Sequence, residues 1–296
     1  MIPDRRQHQR DVRRFLENCF SIKDWKFSLP HGWGHESYFA KGGKRTYFIK
    51  LGARTANYTV MADLDLTPPV IASGVLEDGT PVMVQPYIEG KVPGWVDFKR
   101  YLHPIAEIVG KMHHSTSVHH ALPNAPCEDY RGLARIAHQR LLQKWQIYKG
   151  SVPEVVAWVD KCLDTLGKQS DTLDGSGAMA VHNDICNANW LITPDERIYL
   201  IDLDSMTLDD PACDLGAILW WYYPPDLRGQ FLEIAGYKND TQLQKRMRTR
   251  MALHCLDILL PREHSFDHFD AHNFAASLED FKAIIAGEEN PRGYED

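Results

Sequence analysis

Apolar positions in the first third of the chain follow two periods, which predict one amphipathic helix and then a set of short strands. Over residues 4–20 the apolar side chains recur at helical spacing, and arginines occupy the opposite face. The later apolar runs are short and bounded by polar or glycine-bearing turns, which predicts strands at 25–29, 38–40, 46–51, 70–73 and 82–85. One helix is expected at 54–66. This part of the chain therefore predicts a small sheet with few helices.

The rest of the chain shows mainly helical spacing, so a larger and mostly helical part is expected to follow. A first helix is predicted at 105–112 behind Pro104, since proline suits the first turn of a helix. Two more are predicted at 133–148 and 153–166, and another begins near Asp214 and runs to residue 223. Two short strands, 190–192 and 198–201, interrupt this series and are joined by a polar turn at 193–196.

Polar residues cluster on both sides of that predicted hairpin. The first cluster contains His182 and Asp184, with Asn189 five residues after the aspartate, and the second contains Asp202 and Asp204. An aspartate can accept the proton of an attacking hydroxyl, and an asparagine oxygen with a second aspartate can hold Mg²⁺ against nucleotide phosphates. The pattern favours phosphoryl transfer, and the alternative interpretation is a surface hairpin with acidic turns.

The stretch VHNDICNANWL, followed by LIDLDSMTLDDPACDLG, resembles the aminoglycoside phosphotransferase and choline kinase family of small-molecule kinases. The spacing HxDxxxxN is the catalytic-loop pattern of the kinase fold. The ending Asp-Pro-x-x-Asp-Leu-Gly is more typical of this family than of protein kinases, and no activation segment with an Ala-Pro-Glu ending follows Asp202. The family usually has glycine where this chain has Asn183.

The resemblance implies a fold of the α+β class, a protein-kinase-like two-lobe fold. A small antiparallel β-sheet is expected in the N-lobe, residues 1–86, where the nucleotide binds. A mainly helical C-lobe, residues 87–296, is expected to carry the catalytic loop, the metal site and the acceptor pocket.

The resemblance also implies an ATP- and Mg²⁺-dependent phosphotransferase that moves the γ-phosphoryl group to a hydroxyl of a small molecule. Asp184 is expected to position and deprotonate that hydroxyl, while His182 braces the loop. Asn189 and Asp202 are expected to hold Mg²⁺, and Asp214 to tie the loop to the following helix. For Asp204 two roles stay open, a further metal contact or a contribution to the shape of the pocket.

Phosphate contacts are expected from Lys50 and from a glycine-bearing loop. Lys50 lies near the end of the strand YFIKL and resembles the kinase lysine that contacts the α- and β-phosphates. The alternative is an edge-strand lysine in water. Gly32 and Gly34 lie between two predicted strands, where backbone N–H groups can approach phosphates, although most such glycine pairs form only turns.

The segment Gln85-Pro86-Tyr87-Ile88 resembles the hinge of the family, where the adenine bonds to the backbone. Gln85, Tyr87 and Ile88 are the expected contacts, because Pro86 has no N–H to donate. The adjoining helix departs from the family pattern, since residues 54–66 contain no glutamate to pair with the lysine. Asn57 lies nearest the expected place, so Lys50 is expected to be held more by the nucleotide than by the protein.

Composition narrows the class of protein. The chain has 296 residues, of which 44% are hydrophobic, so it can bury the core of one large domain or two lobes. A net charge of -7 does not suggest a nucleic-acid partner, since proteins that bind nucleic acids usually show a basic face. Six scattered cysteines without a CxxC pair favour reduced thiols. No signal core and no apolar run near the roughly 20 residues of a membrane helix are present, so a cytoplasmic protein without a membrane partner is expected.

The sequence leaves open whether the protein is an enzyme and which acceptor it uses. A kinase-like nucleotide-binding module with little or no transfer activity is the alternative to an enzyme, although the complete catalytic set argues against it. The acceptor is an antibiotic, a choline-like alcohol or a sugar, and the aromatic run at 220–223 either lines its pocket or fills the core. Histidines at 113–120 and 264–272 suit loops and packing better than metal binding.

Overall fold

A computed structural model of the chain describes residues 5–29, 36–261 and 269–295. The strands of these residues are β1 Lys26–Ser28, β2 Ser37–Gly42, β3 Arg45–Leu51, β4 Ala72–Val75, β5 Pro81–Pro86, β6 Met179–Val181, β7 Trp190–Ile192, β8 Ile198–Leu200 and β9 Thr207–Asp209. The helices are α1 Arg5–Phe20, α2 Thr55–Asp63, α3 Trp95–Arg100, α4 Leu102–His114, α5 Thr116–Ala121, α6 Tyr130–Tyr148, α7 Val156–Ser170, α8 Ala212–Tyr222, α9 Pro225–Ile234, α10 Thr241–Asp257, α11 Ala271–Ser277 and α12 Glu279–Ala286.

The described residues form two compact units. The first falls within Met1–Val92 and Trp190–Asp204, and the second within Pro93–Asn189 and Ser205–Asp296. This division differs from the predicted lobes, 1–86 and 87–296, because the β7–β8 hairpin goes with the first unit. The Leu200 N–H donates to Leu66 O at 2.9 Å, and Lys91 and Ile192 exchange two backbone hydrogen bonds. The lobe boundary at residue 86 stays a prediction.

The first unit is built on a five-stranded antiparallel sheet in the order β1-β2-β3-β5-β4. Helix α1 packs on one face of the sheet through Val12 and Leu16, which lie in one core with Ile49 of β3. Successive residues of a strand point to opposite faces. Lys50 therefore points away from α1, and its side chain is almost fully buried on the other face of the sheet.

A buried histidine links α1 to two connecting segments at one end of this sheet, one before β2 and the other between β4 and β5. The two ring nitrogens of His8 lie 2.6 Å from Glu36 Oε2 and 2.9 Å from Asp78 Oδ2. Burial by itself lowers the pKa of His8, but the hydrogen bonds to Glu36 and Asp78 and their charges raise it above its usual value. Of the side chains at apolar spacing in α1, Val12 and Leu16 are buried, whereas Cys19 is exposed.

The strand β4 lies two residues later in the chain than predicted. Its register with β5 is set by the turn that follows it, where the Leu76 N–H donates to Thr80 O at 2.8 Å. Gly74 in the middle of β4 hides the strand from a pattern search, since it contributes no side chain. A Cβ at this position would lie 2.8 Å from the Phe15 ring, so glycine allows α1 to approach the sheet.

The second unit consists of helices around a two-stranded antiparallel ribbon of β6 and β9. The register places Val181 opposite Thr207, so the chain that leaves β6 runs beside the chain that enters β9. Helices α8 and α10 pack against each other at Gly216, where a Cβ would lie 2.7 Å from Met247 O. The glycine of the Asp-Leu-Gly motif thus permits close contact between two helices.

Helix α6 begins at Tyr130, before the predicted 133–148, and ends at Tyr148 as predicted. Helix α7, Val156–Ser170, begins and ends a few residues after the predicted 153–166. The side chain of Asp129 accepts the Gly132 N–H at 2.8 Å, and this N-cap starts α6 at Tyr130. Within the described part of the chain, every helix is too short or too polar to pass through a bilayer.

Candidate active site

The predicted catalytic loop begins directly after β6 and is fixed by hydrogen bonds within itself. The ring Nδ1 of His182 accepts the Asp184 N–H at 3.3 Å, and the His182 side chain is completely buried. The Asn189 Nδ2 donates to Asp184 O at 2.6 Å. The three residues predicted from the motif therefore contact one another, with the Asp184 side chain partly exposed at the surface of the loop.

The side chain of Asp214, in the first turn of α8, binds the backbone at the start of this loop. Its Oδ2 accepts the His182 N–H at 2.7 Å, and its Oδ1 accepts the Asn183 N–H at 2.9 Å. The carboxylate is almost inaccessible to solvent. This geometry agrees with the expectation that Asp214 ties the loop to the following helix.

The sequence interpretation missed the role of His113, at the end of α4. Its Nε2 lies 3.1 Å from Asp214 Oδ2, and its Nδ1 lies 2.7 Å from the Tyr237 hydroxyl. Burial alone would raise the pKa of Asp214, but the hydrogen bond to His113 and the charges of His113 and His182 lower it below its usual value. A signal was present, since the helix ending in Met112-His113 resembles the Leu-His end in the family.

Two buried ion pairs fix the segment between β9 and α8. Asp209 Oδ2 lies 2.7 Å from Arg250 Nη2, and Asp210 Oδ2 lies 3.4 Å from Arg246 Nε. Burial raises the pKa of Asp210, although Arg246 works in the opposite direction. Both arginines come from α10. Asp209 and Asp210, which have no predicted catalytic role, thus fix the start of the helix that carries Asp214.

The predicted phosphate-binding lysine lies in the first unit against the second polar cluster. Lys50 Nζ lies 2.5 Å from Asp202 Oδ1, pairs with the Asp204 carboxylate and donates to the Tyr58 hydroxyl at 3.0 Å. Burial, the largest influence, works to lower the pKa of Lys50, yet Tyr58, Asp202 and Asp204 raise it above its usual value. Lys50 is therefore a buried cation with carboxylate partners, and the alternative of an edge-strand lysine in water is wrong.

The structure corrects the expectation that Asn57 orients the lysine and that the protein holds it weakly. Asn57 Nδ2 donates to Leu203 O at 3.3 Å, so the amide binds the backbone between the two aspartates. The next residue of α2, Tyr58, contacts the ammonium in its place. Helix α2 has a buried face of Asn57, Tyr58 and Met61, and its apolar pattern is too weak to reveal which residue faces Lys50.

The predicted magnesium ligands have the chemistry that Mg²⁺ requires. The Asn189 Nδ2 is engaged with the Asp184 carbonyl, which leaves the amide oxygen as the ligand atom. The Asp202 side chain is 47% exposed, so its carboxylate is accessible to an ion. Magnesium is typically bound by one or two protein oxygens together with substrate phosphates. In the described ranges no group of three or more histidine, cysteine or acidic side chains forms a metal site.

The predicted hinge has one donor already in use. The Tyr87 N–H donates to Thr46 O at 3.0 Å, and the Gln85 side chain donates to Pro68 O at 2.6 Å. The Ile88 N–H makes no hydrogen bond with the described part of the chain. The geometry therefore favours Ile88 over Tyr87 as the backbone donor in the hinge, while Gln85 shapes the segment.

Other predicted residues divide between the described and the remaining parts of the chain. Gly32 and Gly34 lie outside the described residues, as do most of the late histidines. The aromatic run differs in burial along its length, because Trp220 and Tyr223 are buried in the core whereas Trp221 and Tyr222 are partly exposed, and an acceptor role for the latter two stays a prediction. The Tyr222 hydroxyl accepts the N–H of Asn187, which lies in the catalytic loop, at 2.9 Å.

Residues 28–254 match the model of a phosphotransferase enzyme family, APH. The match covers most of the chain, including Lys50 and both polar clusters. The chain belongs to this family. The resemblance found in the motifs alone is thereby confirmed.

Solved structures of phosphotransferases share the fold. A thermostable mutant of aminoglycoside phosphotransferase APH(4)-Ia, in a ternary complex with AMP-PNP and hygromycin B, has a TM-score of 0.67 at 19% identity over 93% of this chain and 98% of that chain. Spectinomycin phosphotransferase APH(9)-Ia, in complex with ADP and spectinomycin, has a TM-score of 0.61 at 16% identity, covering 96% and 95%. Choline kinase LicA from Streptococcus pneumoniae has a TM-score of 0.58 at 17% identity, covering 93% and 99%. The predicted α+β, kinase-like two-lobe fold is confirmed.

Asn183 occupies the position where this phosphotransferase family usually has glycine, and its backbone explains the preference. Its φ is +62°, in the left-handed region that glycine adopts readily and asparagine better than most other residues. The asparagine also adds contacts, because its Nδ2 donates to Thr207 Oγ1 at 2.5 Å and lies 3.4 Å from Ser205 O. The substitution therefore keeps the loop conformation and fastens the loop to β9.

Asn183→Val should disturb the catalytic loop, whereas Asn183→Gly should preserve it. A β-branched residue in the left-handed region, together with the lost hydrogen bond to Thr207, should lower the free energy of unfolding by about 2 kcal/mol. Glycine loses the hydrogen bond but relieves the backbone, so its cost should stay within about 1 kcal/mol. Urea unfolding of both variants measures the difference, and equal losses would contradict this account of position 183.

Proposed function

We propose that this phosphotransferase-family protein transfers the γ-phosphoryl group of ATP to a hydroxyl of a small molecule. The observation that carries the proposal is the geometry of the catalytic loop. Its backbone is held by the buried Asp214, while the Asp184 side chain stays partly exposed. A rigid loop that presents one accessible carboxylate suits a group that must meet a substrate hydroxyl. The nucleotides and acceptors named in the similar structures point to the same reaction class.

Asp184 is the proposed base. As the acceptor oxygen forms its bond to the γ-phosphorus, the bond from that phosphorus to the β-γ bridging oxygen of ATP breaks, and ADP leaves. The proton of the hydroxyl passes to the Asp184 carboxylate. Asn189 bonds to the carbonyl of Asp184 and so fixes the backbone from which this carboxylate extends. His182 accepts the Asp184 N–H and supports the same peptide.

The nucleotide contacts are assigned to the first unit. Lys50 supplies a permanently charged ammonium for the α- and β-phosphates, and Ile88 offers a backbone N–H to adenine. Asn189 and Asp202 are assigned to Mg²⁺ because their oxygen atoms suit this ion and because the family motif places them in this role. When bound, Mg²⁺ neutralises charge on the transferred and leaving phosphates. Gly32 and Gly34 keep their proposed place beside the phosphates.

Asp202→Ala should weaken Mg²⁺-dependent nucleotide binding more than Asn189→Ala does. The carboxylate carries a formal charge that attracts the cation, whereas the amide oxygen of Asn189 carries only a partial charge. Titration of ADP with and without Mg²⁺ gives the gain in affinity due to the ion for each variant. Asp195→Ala, in the exposed β7–β8 turn, is a matched control. If Mg²⁺ had no effect on ADP affinity in the parent protein, the assignment would fail.

The acceptor site is proposed to include the two partly exposed aromatic residues of α8. Tyr222 contacts the catalytic loop through Asn187, and burial raises the pKa of Tyr222 to about 12, so it stays a neutral phenol. The Trp221 Nε1 donates to Asp280 Oδ2 at 3.3 Å, which fixes the indole ring. An aromatic ring in contact with the catalytic loop favours an acceptor that carries a positive charge as well as a hydroxyl. Aminoglycoside-like and choline-like alcohols fit this description better than neutral sugars.

A screen of acceptors tests the proposal. ADP release would be followed with Mg²⁺ and ATP, first without acceptor and then with aminoglycosides, choline-like alcohols and sugars in turn. The proposal predicts release that depends on one acceptor class. Binding of ATP without acceptor-dependent release from any class would favour the alternative, a nucleotide-binding module with little transfer activity.

A further inference from the structure

The absence of a glutamate from α2 leaves open what holds Lys50 in place, and the first unit contains the answer. Lys50 Nζ is surrounded by Tyr58 from α2 and by Asp202 and Asp204 from the segment after β8. Only 8% of its side chain is exposed. A buried ammonium needs hydrogen-bond acceptors and opposite charge, because desolvation otherwise disfavours its charged form.

We propose that Tyr58 and Asp204 together do the work of the missing helix glutamate, with Tyr58 as the positioning residue and Asp204 as the counter-ion. The inference rests on the proposed function, since it concerns the lysine assigned to the nucleotide phosphates. A glutamate carboxylate would supply both a hydrogen-bond acceptor and a negative charge, and in this chain two residues supply them separately. The helix contributes a neutral hydroxyl, and the negative charge comes from the segment that also carries Asp202, the proposed magnesium ligand.

Tyr58 joins Lys50 to that segment through a single oxygen atom. Its hydroxyl accepts from Lys50 Nζ at 3.0 Å and from the Leu203 N–H at 3.1 Å. Asn57, one residue earlier in α2, donates to Leu203 O at 3.3 Å. The backbone N–H and C=O of Leu203 are thus both hydrogen-bonded to adjacent side chains of α2. Asp202 and Asp204 flank Leu203, so α2 fixes the backbone from which both carboxylates extend.

The backbone of Asp202 has an uncommon conformation that these hydrogen bonds help to fix. Its φ is +59°, in the left-handed region that few non-glycine residues adopt, although aspartate does so more readily than most. Asp204 differs from Asp202 in exposure, since its side chain is 12% exposed against 47% for Asp202. The more buried carboxylate suits a permanent partner of Lys50, and the more exposed one suits a ligand of an ion. The sequence left two roles open for Asp204, a metal contact or a contribution to the shape of the pocket. The proposed role as counter-ion of Lys50 replaces both.

The test compares Tyr58→Phe and Asp204→Asn with two matched controls. Tyr47→Phe removes the hydroxyl of another buried tyrosine of the same unit, and Asp195→Asn neutralises an exposed acid of the β7–β8 turn. For each protein, calorimetry gives the affinity for ADP with Mg²⁺, and steady-state kinetics give KM for ATP and KM for the acceptor. Thermal unfolding shows whether the variant has merely lost stability.

Tyr58→Phe and Asp204→Asn should each weaken ADP affinity and raise KM for ATP roughly tenfold, the size expected for one charge-assisted hydrogen bond. The acceptor KM should stay unchanged, which a general loss of structure would not produce. Both controls should stay within about twofold of the parent. Equal changes in Tyr58→Phe and Tyr47→Phe would overturn the role of Tyr58.

A second background tests whether Asp204 acts through the lysine. In Lys50→Met protein the counter-ion has no ammonium to pair with, so Asp204→Asn should no longer weaken ADP affinity. The same roughly tenfold loss in both backgrounds would overturn the role of Asp204. If the parent protein bound ADP but transferred no phosphoryl group, the affinity measurements would still decide this inference, while the proposed function alone would fail.

Discussion

Asp184→Asn is expected to lower kcat by about three orders of magnitude, the usual contribution of a positioned general base. The amide has the shape of the carboxylate but cannot accept the proton of the acceptor hydroxyl. Hydrogen bonds to the backbone hold the loop, because Asp214 binds the backbone of residues 182 and 183 and Asn189 binds the carbonyl of Asp184. Folding and ADP affinity should therefore remain close to those of the parent.

The loss should appear in kcat with little change in either KM. Single-turnover kinetics with ATP and the best acceptor separate the chemical step from product release. A neighbouring substitution in the same loop, Asn183→Gly, serves as the control, since it changes a side chain that is not proposed to touch the acceptor. Turnover of folded Asp184→Asn within a few-fold of the parent would remove Asp184 from the role of base.

Asp214→Asn is expected to damage both stability and turnover, although the residue is not proposed to touch a substrate. Its carboxylate accepts from two backbone N–H groups and from His113. An amide has only one oxygen, so its NH₂ group must face a donor. Leaving a donor unsatisfied in so buried a place should cost about 3 kcal/mol of the free energy of unfolding. The catalytic loop should lose its fixed backbone, with a fall in kcat of at least tenfold.

The pKa of Asp214 also predicts how the stability of the parent protein depends on pH. The folded chain lowers this pKa below the usual 3.8 of an aspartate, so the unfolded chain binds the proton more readily. The contribution of Asp214 to stability is therefore complete above about pH 5 and declines as the pH falls through the unfolded and then the folded pKa. Urea unfolding of the parent and of Asp214→Asn from pH 7 to pH 3 measures this. The gap between the two proteins should narrow in acid, and a constant gap would contradict the assignment.

The catalytic motif and the N-lobe strands could be predicted from the sequence because their signals are local. HxDxxxxN lies within eight residues, and alternation in β3 shows which side chains face α1. The same alternation places Lys50 on the opposite face. These features need no knowledge of the partner segments, since period and spacing define them.

The supports of the site could not be predicted because their partners are far apart in the sequence. His113 lies 101 residues before Asp214, and the family-like end of its helix does not indicate which residue His113 contacts. Lys50 meets Asp202 across 152 residues. The choice of Tyr58 over Asn57 depends on the rotation of a short helix by a single residue, which a weak apolar pattern does not define.

Helix α10 shows a further limit of apolar periodicity. Its Arg250 is buried, where an apolar residue would mark the inner face of an ordinary helix. The guanidinium is stabilised by Asp209, which follows the catalytic loop in the chain. A buried ion pair therefore replaces part of the apolar stripe, and the helix carries no pattern strong enough to be predicted.

The most direct test of the central claim is ³¹P NMR of ATP, Mg²⁺ and the best acceptor from the screen. For the parent protein the account predicts that a new phosphomonoester signal of the acceptor grows as the γ-phosphate signal of ATP falls, with ADP formed in equal amount. Asp184→Asn should show no such signal over the same time. Release of inorganic phosphate without a phosphorylated acceptor, or an ester formed equally fast by Asp184→Asn, would contradict the claim.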